Sequence, residues 1–163
     1  MKLLSDIHPN ARACIFVEPM WTIFGGMIFY YAPLYMREIG LTDIQMGVVN
    51  TTALLTGFIF YIFASPVTNK LGRRRTSLIF DLISWGIPMI IWAVAQNFWY
   101  FLIAAIINSA VKIVSVSWFL MLTEDTAEEK RSKVYGIINI LNCLPGIFTP
   151  LTGLLILKFG TIP

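Results

Sequence analysis

Long apolar runs alternate with short polar or charged segments along the whole chain. Each run is close to the ~20 predominantly apolar residues that a helix needs to cross a bilayer. The pattern therefore predicts five membrane-spanning helices, at about residues 13–36, 46–64, 76–95, 98–122 and 134–157. The expected fold class is an all-α membrane protein, a bundle of transmembrane helices in the lipid bilayer.

Polar residues at the ends of the apolar runs predict where helices begin. Asn10 is a candidate N-cap for the first helix, since its side chain suits the first free backbone N–H groups. Thr42 and Gln45 have the spacing of a capping box ahead of the second helix. Thr126 and Glu129 have the same spacing ahead of the fifth helix, so we expect a second capping box there.

Composition agrees with this fold class and disfavours an enzyme. The chain is 57% hydrophobic and 13% charged, whereas a soluble domain has about 25% charged residues. The sequence has one histidine and no cluster with metal-ligand spacing, so we expect no enzymatic activity, no metal and no cofactor. It also has no phosphate-binding glycine loop, so we expect no ATP-driven pump. Cys14 and Cys143 lie within apolar runs, so we expect small buried hydrophobes and no disulfide.

A strongly basic segment, residues 65–75, separates the second and third apolar runs. It carries four positive charges in six residues, and a turn this short makes the flanking helices antiparallel neighbours. Gly72 is expected to take a positive φ in this turn, because it has no side chain to clash.

The basic residues are distributed unevenly between the two predicted faces of the membrane. Only Arg37 and Lys158 fall on one face. Nine fall on the other: Lys2, Arg12, Lys70, Arg73, Arg74, Arg75, Lys130, Arg131 and Lys133. Because cytoplasmic loops accumulate Lys and Arg, we expect a multi-pass protein of the cytoplasmic membrane with its amino terminus inside. Sorting of this kind explains the basic residues without a nucleic-acid partner.

Residues 65–74 resemble the loop signature of the major facilitator superfamily, Gly-x-x-x-Asp-[Arg/Lys]-x-Gly-[Arg/Lys]-[Arg/Lys]. The matching residues are Lys70, Gly72, Arg73 and Arg74. Ser65 stands where glycine is usual, and Asn69 where aspartate is usual. Glu124 and Arg131 are similar to the Glu-(x6)-Arg motif that follows the fourth helix in some members.

The resemblance implies an amino-terminal portion of a twelve-helix secondary transporter. The chain would supply five helices of an incomplete six-helix half, and its partners would be the sixth helix and the carboxyl-terminal half. The family implies alternating access and a central cavity lined chiefly by the first and fourth helices of each half, for a small organic solute coupled to H⁺ or Na⁺. The basic-loop residues Asn69, Lys70, Gly72, Arg73 and Arg74, with Asp81, Glu124 and Arg131, would then form a cytoplasmic gate.

Lys112 is the sharpest candidate for a cavity residue, because it lies near the centre of an apolar span where a charge is expensive. Asn108, Lys112 and Ser115 have the i, i+4, i+7 spacing of one helix face. Glu18 and Thr22 form a similar stripe on the first span, and we expect Glu18 and Lys112 to line the cavity and act together. The alternatives are a structural lysine paired inside the bundle and a helix-end carboxylate at the membrane interface.

The fifth span carries Asn139 and Asn142 on one face, which we expect to reach the cavity; packing through small and polar residues is the alternative. Pro145 and Pro150 each remove a backbone donor, so we expect them to kink this helix. Residues 145–153 loosely resemble the antiporter signature of the family's fifth helix, which keeps proton-coupled efflux open. A truncated, non-transporting membrane protein that acts through helix association is the alternative from another class.

At the cytoplasmic face, we expect Arg73 or Arg74 to pair with Glu124, Asp125 or Asp81 and so tie several spans together.

Overall fold

Helices make up most of the computed structural model, which describes residues 7–159. They are α1 (Pro9–Phe29), α2 (Ala32–Glu38), α3 (Asp43–Leu71), α4 (Arg73–Asp81), a π-helical segment (Leu82–Gly86), α5 (Ile87–Ala93), α6 (Phe98–Asn108), α7 (Val111–Thr123), α8 (Glu128–Leu141) and α9 (Leu144–Phe159). The fold is all-α, as expected. Lys2, which contributes to the predicted orientation, lies outside the described residues.

Four helical stretches in the described part of the chain are long and apolar enough to cross a membrane. They are Asp43–Leu71, Arg73–Ala93, Phe98–Thr123 and Glu128–Lys158. These correspond to the second to fifth predicted spans. The first predicted span, 13–36, is divided between α1 and α2 by a turn at Tyr30 and Tyr31, and its passage through the membrane stays a prediction.

Helix α3 continues past the point where the sequence pattern places its end. Pro66 lies inside the helix, and the chain stays helical to Leu71. The expected turn over residues 65–75 was therefore wrong in extent: Gly72 alone separates α3 from α4. Its φ of 80° confirms the predicted positive φ. An apolar span tolerates an internal proline when neighbouring groups satisfy the freed carbonyl.

The predicted helix starts have mixed outcomes. The Thr42–Gln45 capping box is present in both directions. The Asn10 cap was wrong, because α1 begins at Pro9 and the His8 side chain accepts from the Asn10 backbone N–H.

The second capping box was also wrong. The N-cap of α8 is Ala127, and it makes no side-chain cap. The hydroxyl of Thr126 donates to the Leu122 carbonyl in the preceding turn (2.9 Å), so it is not available to the start of α8.

The chain divides into two compact units. The described part of the first comprises residues 7–33 and 122–159, in which α1 packs against α8 and α9. Helices α1 and α9 approach closely at Gly26 and Pro145, where a side chain on the glycine would meet the Pro145 Cα at 2.9 Å and the Pro145 ring more closely still. The phenol of Tyr31 donates to the Thr149 carbonyl of α9 (3.4 Å).

The division between α8 and α9 bears on two expectations. The helix is interrupted at residues 142–143, just ahead of Pro145, which agrees with the expected kink there; Pro150 lies within a continuous α9. Both cysteines are free, as expected. Cys14 is buried, but the expected burial of Cys143 was wrong, since its side chain is exposed.

The second unit comprises residues 34–121, in which α3 packs against α4 and α6, and α5 and the π-helical segment pack against α6. In the first turn of α6, Phe101 is fully buried, and its ring makes edge contacts with the rings of Tyr35 and Trp92. The phenol of Tyr35 donates to the Trp92 carbonyl (3.0 Å). This aromatic cluster joins α2, α5 and α6.

Candidate functional site

Lys112 lies beside an interruption near the middle of the apolar stretch Phe98–Thr123. Helix α6 ends at Asn108 and α7 begins at Val111. Between them the backbone tightens into i→i−3 hydrogen bonds, including Lys112 N–H to the Ser109 carbonyl (3.1 Å). The Ser109 hydroxyl contributes, because it donates to the Ala105 carbonyl of its own helix (2.7 Å) and competes with the regular backbone pattern.

The side chain of Lys112 lies along α3. Its methylene groups fill the space that Gly57 leaves: a Cβ on Gly57 would meet the Cγ and Cε atoms of Lys112 at 3.3 Å. One helical turn further along α3, the Tyr61 ring faces the ammonium, with 5.7 Å between Nζ and the ring centroid. Gly57 therefore makes room for the stem, and Tyr61 contacts the charge.

The contact with Tyr61 offsets only part of the cost of this charge. A lysine near the centre of a membrane helix costs about 2.5–3.5 kcal/mol on insertion scales. A cation over an aromatic ring recovers about 0.5–2 kcal/mol. Within residues 34–121, no carboxylate lies within 4.0 Å of the Lys112 ammonium. Inside its own unit, the charge has an aromatic face and no counter-ion.

Two hydroxyl pairs join α3 to the fourth apolar stretch on either side of Lys112. Thr56 donates to the Ser109 hydroxyl (2.7 Å), which can in turn donate to the Ala53 carbonyl (3.0 Å). Thr68 and Ser117 share a hydrogen bond of 2.8 Å and are almost completely buried. We call these contacts the hydroxyl seam: Thr56–Ser109 and Thr68–Ser117. The seam links α3 to the apolar stretch that carries Lys112.

Sequence reasoning missed the seam, although a signal was present. Ser109 and Ser117 flank Lys112 at about one helical turn on each side. Their partners on α3 could not be identified from sequence, because pairing depends on how the two helices are aligned.

The three residues of the predicted stripe on the fourth span, Asn108, Lys112 and Ser115, lie in different environments. The Asn108 side chain donates to the Ser84 carbonyl in the π-helical segment (2.7 Å). Ser115 is exposed, and its hydroxyl donates to the Val111 carbonyl in its own helix. The Lys112 side chain lies along Gly57 and Tyr61 of α3.

The remaining predicted cavity residues lie in the first unit. The Thr22 hydroxyl is buried and donates to the backbone carbonyl of Glu18 (3.0 Å). Glu18 is half-buried, whereas Asn139 and Asn142 are exposed. Their places in a cavity, and the joint action of Glu18 and Lys112, stay predictions.

The basic-loop residues surround the single-residue turn. Asn69 and Lys70 are exposed in the last turn of α3, whereas Arg73 and Arg74 begin α4. The turn is closed by Gly72 N–H to the Thr68 carbonyl (2.9 Å), while the buried Thr76 donates its hydroxyl back to the Gly72 carbonyl (2.9 Å). Asp81 is half-buried at the end of α4.

The acidic and basic residues of the connector have local partners in the first unit. Arg131 donates to the Thr126 carbonyl (3.1 Å) and lies 3.8 Å from Glu128. Asp125 accepts from Asn10 (2.8 Å) and lies 3.6 Å from the His8 ring nitrogen. Glu124 is exposed. The expected pairing of Arg73 or Arg74 with an acidic partner stays a prediction.

The described residues hold no group of three or more His, Cys, Asp or Glu side chains that could bind a metal ion. The described structure instead brings together, around Lys112, an ammonium group, an aromatic ring and hydroxyl groups on apolar helices.

Together these features define a polytopic helical membrane protein with a charged residue inside an apolar helix pair. The family model of the Major Facilitator Superfamily matches residues 20–162, most of the chain, and the protein belongs to this family. It is similar to the uncharacterized MFS-type transporter YqjV of Bacillus subtilis, with 25% identity over 94% of this chain and 38% of the relative.

Two exporters of Staphylococcus aureus are also similar. The staphylopine export protein is 23% identical over 74% of this chain and 30% of its own length. The quinolone resistance protein NorA is 20% identical over 71% of this chain and 30% of its own length. The chain thus spans less than two fifths of the curated relatives it matches. No solved structure matches it.

Proposed function

We propose that this chain forms the amino-terminal helices of a secondary transporter that moves a small organic solute across the cytoplasmic membrane by alternating access. Family membership supports transport, and two relatives named for export or drug resistance favour the outward direction. The remaining helices of the transporter would complete the cavity. A proton or sodium gradient would supply the driving force.

The observation that carries the proposal is the position of Lys112. An ammonium inside an apolar helix pair, without a counter-ion in its own unit, is unfavourable for a purely structural bundle. In the proposed cycle, Lys112 and Glu18 line the cavity, and a pairing between them that opens when solute or proton binds couples the gradient to movement. Thr22, Asn139 and Asn142 would complete the polar surface.

Transport can be measured in energised everted membrane vesicles that contain the full-length protein, with norfloxacin as a quinolone probe. We expect norfloxacin accumulation above that of control vesicles, with loss on addition of an ionophore that collapses the gradient. Lys112→Ala should reduce the initial rate at least about tenfold, since removal of a group that acts in the transition between states costs more than ~1.4 kcal/mol.

The matched control is Lys158→Ala, which removes the same charge from the end of α9 and should transport normally. Immunoblots of the membrane fraction check that both variants insert equally. Accumulation no greater than in control vesicles would contradict export and favour the non-transporting alternative. Normal transport by Lys112→Ala would remove Lys112 from the site.

We also propose that the amino terminus and the basic segment face the cytoplasm, on the basis of the uneven Lys and Arg distribution. A cysteine introduced at position 71 should resist a membrane-impermeant maleimide in whole cells, whereas one at position 97 should react. Labelling of position 71 from outside would reverse this orientation.

A further inference from the structure

The ammonium of Lys112 retains unused hydrogen-bonding capacity within its unit. An ammonium has three N–H donors, but among residues 34–121 the contact of this group is the face of the Tyr61 ring. The adjacent polar groups are engaged elsewhere: Thr56 and Ser109 bond to each other and to backbone carbonyls, and the amide of Asn108 donates to Ser84. Within this unit, therefore, no hydrogen-bond acceptor binds the Lys112 ammonium.

We infer that Lys112 and Tyr61 form a recognition site for a carboxylate group on the transported solute. This inference rests on the proposed function and gives it a substrate class. A solute carboxylate would accept hydrogen bonds from the N–H groups of the Lys112 ammonium and supply the missing negative charge.

The chemistry of the site favours a single carboxylate attached to an apolar body. Lys112 is a compact point charge, and phosphate groups are usually bound by several cationic or backbone donors. The Tyr61 side chain is about half exposed (49%), so its ring edge is available to an apolar or aromatic part of the same molecule. A cationic solute would instead be repelled by the unneutralised ammonium.

The surroundings hold the two recognition groups in place. Gly57 lets the lysine stem lie flat against α3, so that its charged end reaches the next turn at Tyr61. The buried Thr68–Ser117 pair of the hydroxyl seam holds α3 against the fourth apolar stretch near this point. Binding would therefore require little rearrangement of the two groups within this unit.

The test compares two probes of the same shape, 1-naphthoate and 1-naphthamide, on the purified full-length protein in detergent. Binding is measured from the concentration dependence of the thermal unfolding temperature. We expect the acid to raise this temperature at concentrations at least tenfold below those at which the amide does. Lys112→Met should abolish the preference, and Lys112→Arg should retain it because the positive charge remains.

Variants of the ring and a distant charge sharpen the test. Tyr61→Phe should keep the affinity for the acid, whereas Tyr61→Leu should lower it about two- to tenfold, since only the former preserves an aromatic face. Lys158→Met should behave as the unmodified protein. Equal effects of acid and amide, no effect of the acid, or an acid preference that survives in Lys112→Met would overturn the inference.

The binding and transport experiments distinguish failure of the carboxylate site from failure of the proposed function. Energised transport of norfloxacin that persists in Lys112→Met, with equal binding of acid and amide, would remove the carboxylate site and leave the transporter. Lys112-dependent binding of 1-naphthoate in a protein that moves no solute would instead remove the proposed function.

Discussion

Gly26 of α1 lies directly against Pro145 of α9 in the first unit, with no room for even one additional carbon. In the second unit, α3 meets the apolar stretch Phe98–Thr123 through pairs of hydroxyl groups, Thr56 with Ser109 and Thr68 with Ser117. Both contacts use small residues to bring apolar helices close together, a common device in membranes, where no hydrophobic force acts between helices. The first is maintained by shape and the second by hydrogen bonds.

The difference determines how each contact can change. A shape contact such as that of Gly26 loses packing as soon as the helices separate, and nothing replaces it. A hydroxyl can instead exchange partners: Thr56 also lies 2.7 Å from the Thr52 carbonyl, and Ser109 lies 2.7 Å from the Ala105 carbonyl. The Thr56–Ser109 contact can therefore open while each hydroxyl remains hydrogen-bonded to its own helix. It is the contact better suited to a moving part.

The largest effect is expected when the shape contact is broken. Gly26→Ala places a methyl group 2.9 Å from the backbone Cα of Pro145 and closer still to its ring, so the helices must separate. We expect a loss of about 1–3 kcal/mol in the free energy of unfolding, the usual cost of overpacking. The measurement is reversible unfolding of the purified full-length protein in mixed detergent micelles.

Gly25→Ala provides the matched control, because Gly25 is adjacent in the same helix and also buried. A methyl group there would meet the Phe29 ring at 3.4 Å, an ordinary contact with a side chain. Alanine also favours the helix over glycine by roughly 0.5–1 kcal/mol. Gly25→Ala should therefore be neutral or slightly stabilising. Equal stability of the two variants would show that the Gly26 contact is not close in solution.

The second effect concerns the buried hydroxyl pair. Thr68 is 1% exposed and Ser117 is 0% exposed, and each has the other as its hydroxyl partner among the described residues. A double-mutant cycle with Thr68→Val and Ser117→Ala should give a coupling energy of about 0.6–1.7 kcal/mol, the upper part of the range for hydrogen bonds between membrane helices. The same unfolding measurement applies. A coupling indistinguishable from zero would mean that packing, not the hydrogen bond, holds this end of the seam.

The positions of the helices could be predicted from the sequence better than the contacts between them. Apolar runs predicted the second to fifth helical stretches, since the length needed to cross a bilayer is set by the bilayer itself. Gly72 was predictable for a similar reason, because a tight turn requires a residue that accepts positive φ. Pro66 misled the prediction of the α3 terminus: proline disfavours a helix locally but does not end one in an apolar span.

The candidate site was predicted only in part. Lys112 was identifiable, because a charge in an apolar run is costly wherever the helix lies. Tyr61 and Gly57 were not, since they become its neighbours only when α3 is aligned against α7. The predicted stripe also assumed an unbroken helix, whereas the turn at Ser109 separates Asn108 from Lys112. Local rules do not specify such alignments or interruptions.

The smallest effect is expected at the exchangeable pair. In a double-mutant cycle with Thr56→Val and Ser109→Ala, the coupling energy should be near zero and below about 0.6 kcal/mol, the average for such pairs in membranes. The reason is that a hydroxyl deprived of its partner falls back on a carbonyl of its own helix, already 2.7 Å away for both residues. The Thr68–Ser117 cycle serves as the matched comparison in the same helices. If the Thr56–Ser109 coupling equals or exceeds it, the intrahelical carbonyls do not substitute, and this part of the seam is as fixed as the Gly26 contact.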